Sequence, residues 1–438
     1  MALVGAIVAA IVLTALLAVS PAVAEIGFIL LIFSVGLFLA ALKLSTEADR
    51  SWLPSFVLAG CLVKLAGAGM RYVTVVDVYV SGDSFGYHNA GTRLVEAWRQ
   101  FTIPVAVGRG SPGTRFTEIA TGLIYLPYVP SMLGGFLIFA TLAFVGQVFL
   151  YTAFRRSAPS YLLRRYAFLV FFLPTLVFWP SSIGKDALMM LFLGVAAYGL
   201  ARLLESYQSR WLVVSVIGLA GGVGVRPHIP ALLVGGLVVA GMFARPSEDQ
   251  EVGLRRLVVV GLSLVAILVV GSLTASRFDL QGLSAEEVAP FLEGVSERTA
   301  TGGSVVEGGP VRNPLDFPGA FLTVLFRPFP YEAHNSQALL ASLEGTLLFG
   351  AFVWKLPAML RNRRQLRANP YYLMAFIYTM GFVVAFSAIL NLGILARQRS
   401  QVLPLFVAVL VGLGWYRQEQ EQEEPSMVET IPAWETAR

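Results

Sequence analysis

The sequence has one cysteine, three histidines and few charged residues for its size. Cys61 is the only thiol among 438 residues, so no internal disulfide can form. Lying inside an apolar run, it reads as a small buried hydrophobe. Asp, Glu, Lys and Arg make up 13% of the chain, against 56% hydrophobic residues and a mean hydropathy of +0.71. A soluble globular protein carries about twice that share of charge, so an ordinary soluble enzyme is excluded. The net charge of +5 does not imply a nucleic-acid partner. The arginines gather in short loops between apolar runs, the pattern that orients helices in a membrane. No tandem repeat, coiled coil or soluble domain is evident.

What is abundant is hydrophobic sequence in long runs. A membrane-crossing helix needs about 20 apolar residues. Runs near 3–22, 26–44, 54–74, 131–154, 166–181, 187–204, 211–225, 229–244, 257–274, 337–359, 371–391 and 400–416 predict spans. The fold class is therefore all-α, a polytopic transmembrane helical bundle of about twelve spans, roughly 11–13. Ala22-Val23-Ala24 before Glu25 looks like a signal-peptidase site, but no basic residue precedes the run, and a retained first helix is expected. If the spans alternate, Arg155, Arg156, Arg164 and Arg165 share one side with Arg255, Arg256, Arg361, Arg363, Arg364 and Arg367. That side is expected to be cytoplasmic, with 417–438 as an acidic, disordered tail.

The transmembrane module 1–416 then presents to the outside two large segments, about 75–130 and 275–336, and turns at 180–186, 225–229 and 391–399. In the first large segment, two amphipathic helices near 88–100 and 114–127 are expected to lie on the membrane surface. In the second, Gly- and Glu-rich 301–310 reads as a mobile piece, and Pro318 to Leu325 as re-entrant or interfacial.

The outer segments hold the residues with chemistry. His88, His228 and His334 all fall there, each beside an acid or an arginine. Two roles fit Asp83, in Gly82-Asp83-Ser84-Phe85-Gly86-Tyr87-His88-Asn89: a helix cap, or a general base at the membrane surface taking a proton from an acceptor hydroxyl. Tyr87, His88 and Asn89 would then supply hydrogen bonds to a sugar or phosphate. In Trp179-Pro180-Ser181-Ser182-Ile183-Gly184-Lys185-Asp186, Ser181 or Ser182 is expected to cap the next helix. The N-terminus of that helix, with Lys185 and Asp186 beside it, reads either as a phosphate site or as a Lys–Asp pair in a turn. Val225-Arg226-Pro227-His228, Arg327-Pro328-Phe329-Pro330-Tyr331-Glu332-Ala333-His334 and Arg397-Gln398-Arg399 supply guanidinium forks suited to phosphate or pyrophosphate. Binding of anionic headgroups is the simpler alternative for each. Glu332 and His334 would orient these arginines or act as acid and base.

Four of these places resemble the GT-C superfamily of membrane glycosyltransferases. Asp83 stands at the start of the first large outer loop with Tyr87 at D-x-x-x-Y spacing, and the loop continues through Gly113-Thr114-Arg115-Phe116. The turn with Ser182, Lys185 and Asp186 is similar to the P-S-x-x-x-K-[DE]-[AG] turn of bacterial members. Asn391 to Pro404 resembles the N-x-G-x-x-x-R-x-R segment of bacterial polysaccharide-assembly proteins. The chain departs from the pattern in having Asp83-Ser84 where many members have Asp-Glu, and in lacking the soluble C-terminal domain.

The resemblance implies a bacterial inner-membrane enzyme working on the extracytoplasmic face, with a polyprenyl-linked sugar donor, a glycan or lipid-linked acceptor, and membrane lipids as partners. It implies inversion at the anomeric carbon with Asp83 as base. Polysaccharide polymerases and O-antigen ligases share the architecture, and Arg226, Arg327 and His334 would serve such an enzyme. A transporter or flippase for a lipid-linked solute is the reading from another class, and it calls for a midplane site and inverted repeats. A divalent metal ion would need Asp83 and a second carboxylate, and no compact ligand motif demands one.

Overall fold

The computed structural model describes residues 21–417 apart from 81, 103–110, 207, 244–256, 258, 259, 262, 270, 273–284, 301–303, 307 and 334. The first predicted span, most of the acidic tail, His334 and part of the 257–274 run lie outside the described residues. Among the described residues the regular elements are helices, apart from an isolated antiparallel bridge between Val305 and Asn391.

Helix α1 (Pro21–Leu44) leads into α2 (Leu53–Val73), which continues as a π-helical turn, Thr74–Val78. The two amphipathic helices follow as α3 (Asp83–Arg99) and α4 (Pro112–Tyr125). They pack on each other: a Cβ at Gly91 would stand 2.6 Å from Thr121 Cγ2. Tyr87, Gly91, Leu94 and Val95, at helical spacing, form the buried face of α3.

Helix α5 (Met132–Ser157), capped by Ser131, is followed by α6 (Ser160–Phe172), the short α7 (Pro174–Phe178) and α8 (Lys185–Ser206). Helices α5 and α8 run parallel, with Gly135 beside Ile183, Phe149 beside Tyr198 and Arg156 paired with Glu205. They approach closely where both lack side chains. A Cβ on Gly146 would fall 2.2 Å from the Met190 carbonyl oxygen, and one on Gly194 2.1 Å from that of Gly146. Small residues at such crossings let apolar helices gain van der Waals contact where no hydrophobic drive operates.

After α9 (Ser209–Val225), α10 (His228–Phe243) and α11 (Ala285–Thr299) come α12 (Phe317–Phe326) and α13 (Ser336–Arg361). The chain closes with α14 (Arg364–Ala368), α15 (Pro370–Phe386), α16 (Leu392–Gln398) and α17 (Leu403–Gly414). Asn335, Asn369 and Asn391 cap α13, α15 and α16 through their side-chain oxygens. Every residue of α17 is buried, as expected of a helix that is apolar all round.

Among the described residues four helices are long and apolar enough to cross a membrane: Leu53–Val78, Met132–Ser157, Lys185–Ser206 and Gln337–Arg361. Leu392–Gln401 and Leu403–Gly414, bent by 64°, make a fifth if they form one broken span. Of the dozen runs expected, 3–22 and parts of 26–44 and 257–274 lie outside the residues compared, and several others are broken or short. Pro174 splits the 166–181 run between α6 and α7, and α9 and α10 have 17 and 16 residues. At 1.5 Å per residue these reach about 25 Å, under the ~30 Å of a hydrocarbon core.

The two ends of the bundle differ chemically. One gathers Arg155 on Asp49 at 3.0 Å, Arg156 and Arg202 on Glu205, and the arginines around α14. Asp49 also accepts from Tyr151 at 2.7 Å. Burial raises the Asp49 carboxyl, but Tyr151, Arg155 and the Thr46 amide outweigh it and hold it below its usual range. The other end carries the start of α3, the start of α8, the α9–α10 turn and α16.

Candidate functional site

The site is organised by a break in helical structure. Between α7 and α8 the backbone leaves the helix, and the peptide groups buried there must find other partners. Buried polar side chains from distant helices provide them. Lys64 donates to the Leu176 carbonyl at 2.6 Å, and Glu344 accepts from the Thr175 amide at 2.6 Å. Ser84 donates to the Ile183 carbonyl at 2.9 Å, and Ser181 turns back to Val177 rather than capping α8. Gly184, at φ +158°, makes the sharp entry into α8, which begins on Lys185. The turn is thus pinned, with Trp179, Ser182 and Lys185 facing one cavity.

That cavity has a volume of about 590 Å³. Arg71, Lys185, Arg226 and Arg397 line it, with Tyr79, Asp83, Ser182 and Asn391. Asp186 lies behind the wall, its side chain only 4% exposed, and holds two of the arginines. Its Oδ1 accepts from Arg226 at 2.8 Å and its Oδ2 from Arg397 Nε. Arg226 ends α9 and Arg397 lies in the last turn of α16, so Asp186 ties three helices to one point. Arg71 spreads its guanidinium over Trp179 and Phe178, at 4.8 and 5.0 Å from the ring centroids. Lys185 Nζ donates to Thr114 Oγ1 at 3.0 Å, joining α4 to the site.

Asp83 is the first residue of α3 and makes no capping hydrogen bond; Gly82, at φ +143°, occupies the cap. The carboxylate is 65% exposed and lies 3.5 Å from Arg397 Nη1. It therefore faces the cavity with its acceptor capacity largely unused. Tyr87 lies one turn behind it, buried and hydrogen-bonded to Thr114. Burial, with the neighbouring Asp83 charge, pushes its phenol up to about 12. Tyr87 therefore stays protonated and packs the base of α3 against Gly184.

Asp83, Ser182, Lys185, Arg226 and Arg397 thus meet in one cavity, with Asp186 behind them. The other singled-out residues lie elsewhere. His88 turns to Tyr125, its Nδ1 2.8 Å from the hydroxyl, and burial lowers its affinity for a proton. His228 lies against the Phe386 ring with centroids 5.7 Å apart. Arg399 is 1% exposed and donates through Nε and Nη2 to the carbonyls of Val324 and Arg327, so it anchors the end of α12 rather than facing the cavity.

Arg327 and Glu332 form an ion pair of their own, and Glu332 also accepts from the Phe329 amide at 2.8 Å. Burial raises the Glu332 carboxyl, but Arg327 and that amide bring it below its ordinary range. The pair lines a second polar cavity of about 520 Å³ with Tyr331 and Ser304. A strap separates the two cavities. In it Val306 donates to Leu390 and Leu392 to Ser304, each at 2.9 Å, so that Asn391 faces the first cavity and Leu392 the second.

Sequence reasoning passed over Arg71, Lys64, Glu344 and Tyr79. The signal for the first three was available, since each is an ionisable residue inside an otherwise apolar run, where charge is costly without a purpose. A metal ion fits poorly. Among the described residues no three metal-ligating side chains cluster, and Asp186 is already flanked by two arginines.

The first cavity borders a mostly apolar recess of about 410 Å³ lined by Met70, Val78, Pro174, Phe178, Leu340 and Ala341, with Thr74, Thr175 and Glu344 as its polar members. Tyr79, Trp179 and Gln337 belong to both. No protein-family model matches the chain, and no curated protein or solved structure is significantly similar to it.

Proposed function

We propose that the chain is a membrane glycosyltransferase that moves a sugar from a polyprenyl-(pyro)phosphate donor to a cell-envelope glycan acceptor. The observation that carries this reading is the junction of the cationic cavity with the apolar recess beside it. A molecule suited to both has an anionic head and a hydrocarbon tail. Arg71, Lys185, Arg226 and Arg397 would hold the phosphate, and the recess between α2, α7 and α13 would take the first isoprene units.

In the proposed reaction Asp83 removes the proton of an acceptor hydroxyl. The oxygen forms a bond to the anomeric carbon from the face opposite the phosphate. The carbon–oxygen bond to phosphate breaks, and the electron pair leaves with the phosphate, where the guanidinium groups stabilise it. The sugar is inverted. No strong acid is required, because phosphate is a good leaving group.

For the topology, we place the site end on the extracytoplasmic face of a bacterial inner membrane and the arginine-rich end in the cytoplasm, following the bias of basic residues. Further spans beyond the four or five long helices belong to the same proposal, with the shorter apolar helices crossing where the bilayer thins or where neighbours cover their ends.

A second reading within the same class has its own support. The cavity across the strap carries Tyr331, 81% exposed, beside the Arg327–Glu332 pair. An aromatic face next to planar charged groups suits a sugar ring, which favours a growing glycan as acceptor and hence a polymerase or ligase.

The test is Asp83→Asn, assayed with a radiolabelled polyprenyl-phosphate sugar and membrane-derived acceptor. The protein should insert and bind the donor normally, and transfer should fall by about 10²–10⁴-fold, the usual contribution of a general base. Wild-type product from this variant would remove Asp83 as base. Translocation of intact donor without transfer by the wild-type protein would favour a flippase.

A further inference from the structure

A third cavity lies away from the proposed active site, between α12, α13, α15 and α17, with a volume of about 530 Å³. Phe321, Phe349, Phe352, Phe376 and Phe406 supply much of its wall. Its one uncharged polar lining residue is Thr379, whose hydroxyl is committed to the Ala375 carbonyl. Water has no reason to fill such a space, because an ordered water needs two to four polar partners. The cavity opens sideways past Leu356 and Leu360, which are 36% and 56% exposed. It is therefore a slot open to hydrocarbon.

The slot is polarised along its length. One end lies under Phe317 and Phe321 of α12, and the other reaches Arg363 and Leu366 at the arginine-rich end of the bundle. From Phe349 to Arg363 is fourteen residues, about 21 Å along a helix, against about 15 Å for one leaflet's share of the hydrocarbon core. Its volume matches one acyl chain, taking each methylene at roughly the 30 Å³ that a water molecule occupies in the liquid. Arg363 lines the mouth, Arg361, Arg364 and Arg367 are exposed within four residues of it in the chain, and among the described residues no carboxylate pairs with any of them.

We propose that this slot is a binding site for an anionic phospholipid of the leaflet at the arginine-rich end, with one acyl chain along the phenylalanine wall and the phosphate on Arg363 and its neighbours. Apolar length alone would admit any lipid; the unpaired arginines select the anionic one. A basic pocket between membrane helices is a recurring solution for such headgroups. Bound there, the lipid would fill a void beside α17, the fully buried helix that follows α16 and its site arginine Arg397. It would support the bundle without touching the reacting groups, so this site does not depend on the glycosyltransferase reading.

The experiment uses the full chain, stripped of lipid in mild detergent and exposed to vesicles of phosphatidylglycerol or phosphatidylethanolamine, with bound lipid counted by native mass spectrometry. One phosphatidylglycerol should be retained, and each arginine lost from the cluster should weaken it about fivefold. In R363Q/R364Q/R367Q the preference over phosphatidylethanolamine should vanish. Met380→Trp fills the slot and should abolish retention of both lipids while the thermal midpoint shows a folded protein. Equal retention of the two lipids by the wild-type chain would overturn the proposal, as would unchanged retention in Met380→Trp. The competing anion is the chain's own acidic tail. Glu419, Glu421, Glu423 and Glu424 changed to Gln should leave lipid retention as it was; a several-fold rise would mean that the tail occupies the arginines instead.

Discussion

Changing Asp186 to Asn keeps the shape of the side chain but removes the charge that holds Arg226 and Arg397 together. The carboxylate is 4% exposed, with Arg226 Nη1 at 2.8 Å and Arg397 Nε on its other oxygen. Two unit charges 4 Å apart interact by about 4 kcal/mol at an effective dielectric of 20, and Asp186 makes two such pairs. Part of that is offset by the cost of burying the ions, and breaking a buried pair from one side typically costs about 3–5 kcal/mol. We expect Asp186→Asn to lose that much stability, read as a drop in thermal unfolding midpoint in detergent. Arg226→Gln alone should also destabilise, and the double variant should lose less than the sum of the two, with a coupling of about 1–3 kcal/mol. Donor binding should weaken as well, because Arg397 would no longer be fixed 3.5 Å from Asp83. A coupling below about 0.5 kcal/mol, within the range of independent sites, would refute the view that Asp186 organises the cavity.

Gly146→Ala puts a methyl group against the backbone of α8, 2.2 Å from the Met190 oxygen, and should cost about 1–3 kcal/mol by overpacking; an unchanged thermal midpoint would contradict the close crossing. Glu344→Leu strips the Thr175 amide of its acceptor in a buried setting and should cost about 1–3 kcal/mol, with Glu344→Gln recovering most of the loss in the same melt. His88 binds its proton less readily in the fold than in the unfolded chain, because it is partly buried against Tyr125. The unfolded state therefore gains protons first as pH falls below about 6.5, and stability should decline from there down to the lowered folded value. Melting curves from pH 8 to pH 5 should show this acid-side slope, and His88→Phe should flatten it.

Much of the membrane character was legible in composition and run length, because burying helices in hydrocarbon demands long apolar segments whatever their arrangement. The helices near 88–100 and 114–127 were also legible, since their apolar spacing is local, although α3 begins earlier, on Asp83. The break at Pro174 was not: it divides the predicted 166–181 run into α6 and α7, because proline cannot donate the backbone hydrogen bond that would carry one helix through it. His88 and Arg399 show the matching limit for the site. Each stands in a motif beside cavity residues, but helix phase turns one to Tyr125 and buries the other against carbonyls.

By itself, then, the sequence determined that this chain is helical and apolar, because each property is a sum over residues or a short-range pattern. It also picked out Asp83 as a cap or base, Lys185 at a helix N-terminus, and Arg226 and Arg397 as guanidinium forks. Only the tertiary structure decided that these four face one cavity, that Arg71 joins them from α2, and that Asp186 fastens the arginines from behind. Such convergence depends on where α2, α8, α9 and α16 end in space. Helices far apart in the chain are brought to a common point by packing such as the glycine crossing of α5 and α8, and no local pattern records that distance.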